Sequence, residues 1–137
     1  MVDETRVTLA VYGEHLEPDE VSEMLGRMPT HSHRKGDRKT PTAVPFPSGA
    51  WLYTLEGGAP EGPDSLIDKL LKEFPADSNF WKPLTERFHV LIRVGIHTGG
   101  WNRGFNLAPQ TVGLLGQIDV GLDFDLYFYG DEPKDGV

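Results

Sequence analysis

Leu16-Glu17-Pro18-Asp19-Glu20-Val21 follows the apolar run Val7 to Tyr12, and a second version, Leu107-Ala108-Pro109-Gln110-Thr111-Val112, follows the run Val90 to Ile96. Each Leu-x-Pro-x-x-Val phrase leads to a Leu-Gly pair, Leu25-Gly26 in the first and Leu115-Gly116 in the second, with spacings that differ by one residue. Proline in a helix's first turn gives up an N–H that has no partner there, and in the first phrase Gly26 suits the left-handed exit. Both phrases therefore predict a short helix that follows a strand. A strand, helix, strand unit said twice restricts the possible folds far more than propensity does.

Working outward from the first phrase, Val7, Leu9 and Val11 alternate with Arg6, Thr8, Ala10 and Tyr12, which predicts a strand over residues 5–13 with one face buried. Val21, Leu25 and Met28 form the apolar stripe of the helix entered at Pro18. The next twenty residues carry Pro29, Gly36, Pro41, Pro45, Pro47 and Gly49 and show no period, so a long loop is expected. Trp51, Tyr53 and Leu55 predict a second strand, closed by the turn Gly57-Gly58-Ala59-Pro60. Ser65 and Asp68 have capping-box spacing ahead of the helical face Leu66, Ile67, Leu70, Leu71 and Phe74, which Pro75 ends. Ser78 is placed to cap a further short helix with Phe80, Trp81 and Leu84, Pro83 lying near its first turn.

Around the second phrase, Val90, Ile92, Val94 and Ile96 alternate against His89, Leu91, Arg93, Gly95 and His97. The bend Gly99 to Gly104 leads to a helix at about 109–117, with Trp101 or Phe105 expected to pack down. The last strand sets Val120, Leu122, Phe124, Leu126 and Phe128 against Gly121, Asp123, Asp125, Tyr127 and Tyr129, and Glu132 to Val137 is expected to be a loose tail. The resulting fold expectation is α+β. Two βαβ units form a four-stranded antiparallel sheet with helices on one face, ferredoxin-like, with a helical insert between the units. Such a sheet leaves its other face open or covered by a partner.

At 137 residues and 38% apolar content the chain is long enough to bury one core, so a single domain over residues 1–137 is expected. The absence of cysteine removes disulfides, thiolate nucleophiles and cysteine-held zinc. No apolar run approaches the ~20 residues of a membrane span. Met1-Val2-Asp3-Glu4-Thr5 lacks the design of a signal peptide, and a cytoplasmic protein without membrane association is expected. A net charge of -8 argues against nucleic acid, whose affinity for proteins comes mainly from Lys and Arg displacing counterions. The charge is uneven: Arg27, Arg34, Lys35, Arg38 and Lys39 against Asp37 give +4 between Arg27 and Pro47, leaving -12 elsewhere.

Taken together, Gly13, Pro18-x-x-Val21, Leu25-Gly26-x-x-Pro29-Thr30, Lys35-Gly36-Asp37, Trp51, the Leu66 to Leu71 helix, Phe105-x-Leu107 and Leu122-x-x-Asp125-x-Tyr127 resemble a bacterial family known as domain of unknown function 4279. The resemblance covers nearly the whole chain. It implies a small bacterial, cytoplasmic, stand-alone domain and brings no activity, substrate or catalytic residue with it.

Two groups of residues are candidate sites. In the loop Pro29 to Asp37, Arg34 and Lys35 beside Gly36 suit a phosphate or carboxylate, with Thr30 and Ser32 as hydroxyl donors. The competing reading gives Pro29-Thr30 to the end of the first helix and Lys35-Gly36 to a turn. His31 and His33 point the same way in an extended segment, a spacing that suits zinc, but Arg34 and Lys35 repel a cation and no third ligand is evident, so no metal is expected. The second group is the polar sheet face, with Arg6, Tyr12, His89, Arg93, His97, Asp123, Asp125, Tyr127 and Tyr129. There Arg93, Asp125 and Tyr127 suit a polar ligand, and the competing reading is a solvated or partner-covered face with cross-strand ion pairs. An RNA-binding sheet needs aromatics and cations where this chain has Asp123 and Asp125.

The Gly99 to Gly104 loop fits neither a phosphate loop nor a dinucleotide fingerprint, and no nucleophile elbow is present. No catalytic residue and no cofactor are expected. The functional expectation is a non-catalytic binding or protein-interaction module, acting on a protein partner or a second copy of itself through the sheet face or the basic loop. The alternative is a small-molecule or anion sensor or enzyme using Thr30, His31, His33, Arg34 and Lys35, or Arg93, Asp125 and Tyr127.

Overall fold

The computed structural model describes residues 4–58, 61–99 and 104–128. Five strands, β1 (Glu4–Gly13), β2 (His31–His33), β3 (Gly49–Gly58), β4 (His89–Thr98) and β5 (Gly121–Phe128), form one sheet in the order β2-β3-β1-β4-β5. Four helices, α1 (Pro18–Leu25), α2 (Pro63–Leu71), α3 (Ser78–Arg87) and α4 (Pro109–Gln117), connect them. The α+β class and both helices of the repeated phrase stand where the sequence puts them, with Pro18 and Pro109 opening their helices. Gly26 ends α1 in the left-handed conformation (φ 71°), its N–H bonded to the Ser22 carbonyl.

The sheet itself differs from the expectation of four antiparallel strands. The β2/β3, β3/β1 and β1/β4 pairs are antiparallel, but β5 lies parallel to β4. The cause is the second phrase: α4 carries the chain back alongside β4, and a strand reached by a helical crossover runs in the same direction as the strand it left. The fifth strand is β2, which occupies three residues of the stretch expected to be all loop. In the first unit the chain leaves β1 through α1 to β2, and β3 then inserts between the two.

Val7, Leu9 and Val11 of β1, Trp51 of β3, and Val90, Ile92, Val94 and Ile96 of β4 are buried on one sheet face. They share a single core cluster with Val21 and Leu25 of α1, Leu66, Ile67, Leu70 and Leu71 of α2, Trp81 and Leu84 of α3, and Leu115 of α4. Two indole N–H groups are satisfied inside this layer, Trp51 Nε1 by Ser22 Oγ at 2.9 Å and Trp81 Nε1 by the Pro75 carbonyl at 2.8 Å. Tyr53 O–H donates to Glu73 Oε1 at 2.8 Å, and this bond, with burial second, raises the phenol's pKa.

Several local expectations are corrected. Pro63 opens α2 with Gly62 before it, so Ser65 lies inside the first turn and the capping box is not used. The cap of α3 is Asp77, which accepts from the Asn79 N–H, and Pro83 sits inside that helix. Met28 lies beyond the end of α1 and is 75% exposed. Along β5 the expected buried face is largely open: Val120, just ahead of the strand, is buried, but Phe124, Leu126 and Phe128 are exposed, Leu126 to 70%. As an edge strand, β5 runs past the helix layer that covers β1, β3 and β4. Phe105 is likewise exposed and lies 5.5 Å from the Phe124 ring. Ala59, Pro60, Trp101, Tyr129 and the expected tail 132–137 lie outside the described residues.

Candidate functional site

Strand pairing decides what stands on the sheet face away from the core. Register sets Glu56, Arg6, Gly95 and Asp125 in one row across β3, β1, β4 and β5. Thr54, Thr8, Arg93 and Asp123 form the next row. Alternation along each strand therefore gathers Arg6, Arg93, Asp125 and Tyr127, residues far apart in sequence, on one surface.

At the junction of β1, β4 and β5 the surface dips into a depression of about 270 Å³, lined by Arg6, Thr8, Arg93, His97, Asp125 and Tyr127 with Gly95 at its floor. Glycine is not required there by the backbone, since an added Cβ would meet its neighbours only at 3.8 to 3.9 Å. Its missing side chain leaves the depression open. The rings of His97 and Tyr127 stack at 4.6 Å and form one wall. The Thr8 and Thr54 hydroxyls bond each other at 2.8 Å beneath it. Arg6 pairs with Glu56 at 3.0 Å. Arg93 has no ion pair among the described residues, although Asp123 is its register neighbour; its guanidinium lies over the Tyr12 ring at 5.6 Å. The chemistry on offer is recognition. Arg93 presents charge-assisted donors, Asp125 an acceptor, and the stacked rings an apolar wall.

The loop residues divide differently. Arg34 Nε donates to Glu17 Oε2 at 2.6 Å, and that bond raises the guanidinium's pKa further. Lys35 Nζ donates to Glu14 Oε1, which holds the Glu14 carboxyl below the usual carboxylate range. Both cations thus clamp the loop onto the turn between β1 and α1, through exposed pairs of the kind that individually add little stability. Thr30 extends the β2/β3 ladder, its N–H donating to the Leu52 carbonyl at 2.7 Å and its Oγ1 accepting from the Thr54 N–H at 3.0 Å.

His31 and His33 do share one side of β2, their ring centres 6.2 Å apart. His33 also stacks face to face on Phe46 at 3.6 Å. These two imidazoles, together with Phe46, Arg38 and Lys39, line a second depression of about 320 Å³. The sequence reading missed Arg38, Lys39 and Phe46. The available signal was the position of Glu14 and Glu17 beside the first phrase, acids that are near enough in the fold to neutralise the two cations that were chosen instead.

Burial is the main reason that the His33 pKa lies below its ordinary 6.5; His31 adds to the depression, whereas the Arg34 and Ser48 carbonyls and Asp37 oppose it. A histidine whose folded pKa is depressed contributes its stability above the unfolded value and loses it as pH falls through the folded one. The melting temperature of the wild type should therefore drop below pH 6.5 more steeply than that of His33→Phe, which keeps the stack on Phe46 but cannot titrate. Parallel melting profiles for the two proteins across that range would show that the ring is not perturbed.

Among the described residues, no helix is long and apolar enough to cross a membrane, and no group of three or more His, Asp or Glu side chains is arranged to hold a metal ion. No curated protein and no solved structure matches the chain. A family model described as "Domain of unknown function (DUF4279)" matches residues 3–129, from the start of β1 to the end of β5, and the chain belongs to that family.

Proposed function

We propose that this protein is a non-catalytic binding module whose working surface is the sheet face opposite the helices, and that its occupant is a protein with a basic contact surface. The observation that carries the reading is the one-sided helix layer: the core residues of β1, β3 and β4 meet all four helices on one face, while the other bears Arg93, Asp125, Tyr127 and His97 around an open depression. Charge argues for the partner's sign. Arg6 is matched by Glu56, Arg93 stands opposite Asp123 with Asp125 in the next row, and the whole chain carries -8. The exposed Tyr127 on β5, stacked on His97, adds the apolar contact that such interfaces place at their centre. The antiparallel order β2-β3-β1-β4 supports a ferredoxin-like core to which β5 is added, and a cytoplasmic bacterial setting completes the proposal.

Asp125→Lys is the test, because it turns an acid of this face into a cation, and Asp125 is exposed on the edge strand and makes no ion pair among the described residues. A protein retained from native lysate by the wild type should be lost with Asp125→Lys and kept with Lys39→Glu, and its retention should weaken as salt rises. Retention that ignores Asp125→Lys removes the sheet face from the reading. The Arg93 guanidinium, without an ion pair among the described residues and lining a 270 Å³ depression, also favours a second reading, a small polar ligand. A melting-temperature rise with an amino acid or small carboxylate, abolished by Arg93→Ala, would establish that one in place of the first.

A further inference from the structure

The basic segment between Arg27 and Pro47 contains five cations, and the structure separates them into two classes. Arg27 lies 3.5 Å from Glu73, Arg34 bonds Glu17, and Lys35 bonds Glu14. Arg38 and Lys39 have no carboxylate partner among the described residues, and both line the depression shared with His31, His33 and Phe46. The charge left over after pairing is therefore concentrated at one place, beside the β2 edge of the sheet.

That place is held by the backbone around it. The Gly36 N–H donates to the Phe46 carbonyl at 2.9 Å and the Phe46 N–H donates to the Asp37 carbonyl at 2.8 Å, so the two arms of the loop are bonded to each other. Gly36 supplies the left-handed turn (φ 89°) that this requires. Arg38 Nη1 donates to the Ala43 carbonyl at 2.8 Å, which fixes the guanidinium. One acid, Asp37, also lines the depression, and its Oδ2 already accepts from the Arg34 N–H at 2.9 Å. With both imidazoles neutral, the charged side chains there sum to +1. Arg38, Lys39 and, in one tautomer, His31 then offer N–H donors, while the His33 ring stacked on Phe46 forms a wall. A carboxylate has two oxygens in one plane and leaves part of that set unused, whereas a phosphate presents three or more oxygens in a tetrahedral arrangement and carries more charge to answer Arg38 and Lys39.

We propose that His31, His33, Arg38 and Lys39 form a binding site for the phosphate group of a small phosphorylated molecule. The site lies at the β2 edge and does not depend on the sheet-face reading given above.

The test is a titration of the wild-type chain with inorganic phosphate at constant ionic strength, followed by NMR of the histidine ring protons and the backbone amides. Saturable shifts are expected at His31, His33 and residues 37–46, with a Kd on the order of millimolar for so exposed a site. Lys39→Glu breaks no hydrogen bond or ion pair among the described residues, and it should weaken binding by about tenfold or more. Arg38→Gln serves as the second variant, checked by its melt, while Arg93→Ala should bind as the wild type does. Shifts that stay linear, that centre on Arg93, or that survive Lys39→Glu unchanged would overturn the proposal. Adenosine monophosphate and ribose 5-phosphate then separate two sources of the same group. Tighter binding of the nucleotide, with added shifts at Phe46, assigns the site to nucleotides, and equal binding assigns it to sugar phosphates; either outcome supports the phosphate site.

Discussion

Trp51→Ala is expected to lower unfolding stability by about 3–5 kcal/mol, measured by urea denaturation followed by circular dichroism. Trp51 is fully buried in β3, stands opposite Val11 in the register with β1, and stacks on Tyr53 at 6.2 Å. Truncation opens a cavity between the sheet and α1 and leaves the Ser22 hydroxyl without the indole N–H that it accepts from. A chain of this size has only about 5–15 kcal/mol of total stability, so the variant keeps little of it. Trp51→Phe separates the two contributions. It retains most of the ring volume and loses the hydrogen bond, for an expected cost of about 1–2 kcal/mol. Equal costs for the two variants would mean that the packing argument is wrong and that the bond to α1 dominates.

Gly49→Ala should destabilise by about 2–3 kcal/mol although it adds a single methyl group. Gly49 pairs with Gly13 at the end of the β1/β3 ladder, where the chain turns toward α1. A Cβ on Gly49 would stand 2.8 Å from the Leu16 carbonyl oxygen and 3.2 Å from the Gly13 carbonyl oxygen. These are backbone atoms, and Leu16 is itself buried and tied back by its N–H to the Gly13 carbonyl at 3.3 Å, so relief requires moving the whole turn. Gly13→Ala is the milder neighbour, since its Cβ meets the Phe88 ring at 2.7 Å and a side chain can give way. Gly62→Ala, with nothing within 4 Å, is the control and should change stability by less than about 0.5 kcal/mol. A Gly49→Ala melt that overlays the control would show that the turn is pliable and that the paired glycines have another cause.

How much of the site was legible follows from where each signal resides. Alternation in Arg93, Asp125 and Tyr127 placed these residues on the polar face, and the structure brings all three to one depression. The same alternation could not distinguish Arg34 and Lys35 from Arg38 and Lys39. All four are exposed loop cations in sequence, and only the approach of Glu14 and Glu17 across the fold separates the clamped pair from the unpaired one. Phe46 carried no periodic signal because it lies in irregular chain, yet it forms the platform under His33.

For the fold, β1, β4 and the four helices were legible because their information is local: apolar spacing, a proline at the entry of α1 and of α4, and a glycine at the exit of α1. The three residues of β2 hold too little pattern to announce a strand and exist through their bonds to β3. The alternation along β5 is as regular as that of β1, yet β1 is central and buried while β5 is an exposed edge. Period alone says which side chains share a face; whether that face is covered depends on where α1 to α4 come to rest. By itself, then, the sequence determined the elements other than β2, their faces and the family. Strand order, the parallel β4/β5 pair, the exposure of Phe124 and Leu126, and the division of the loop cations were decided by tertiary structure, because each depends on contacts between segments distant in the chain.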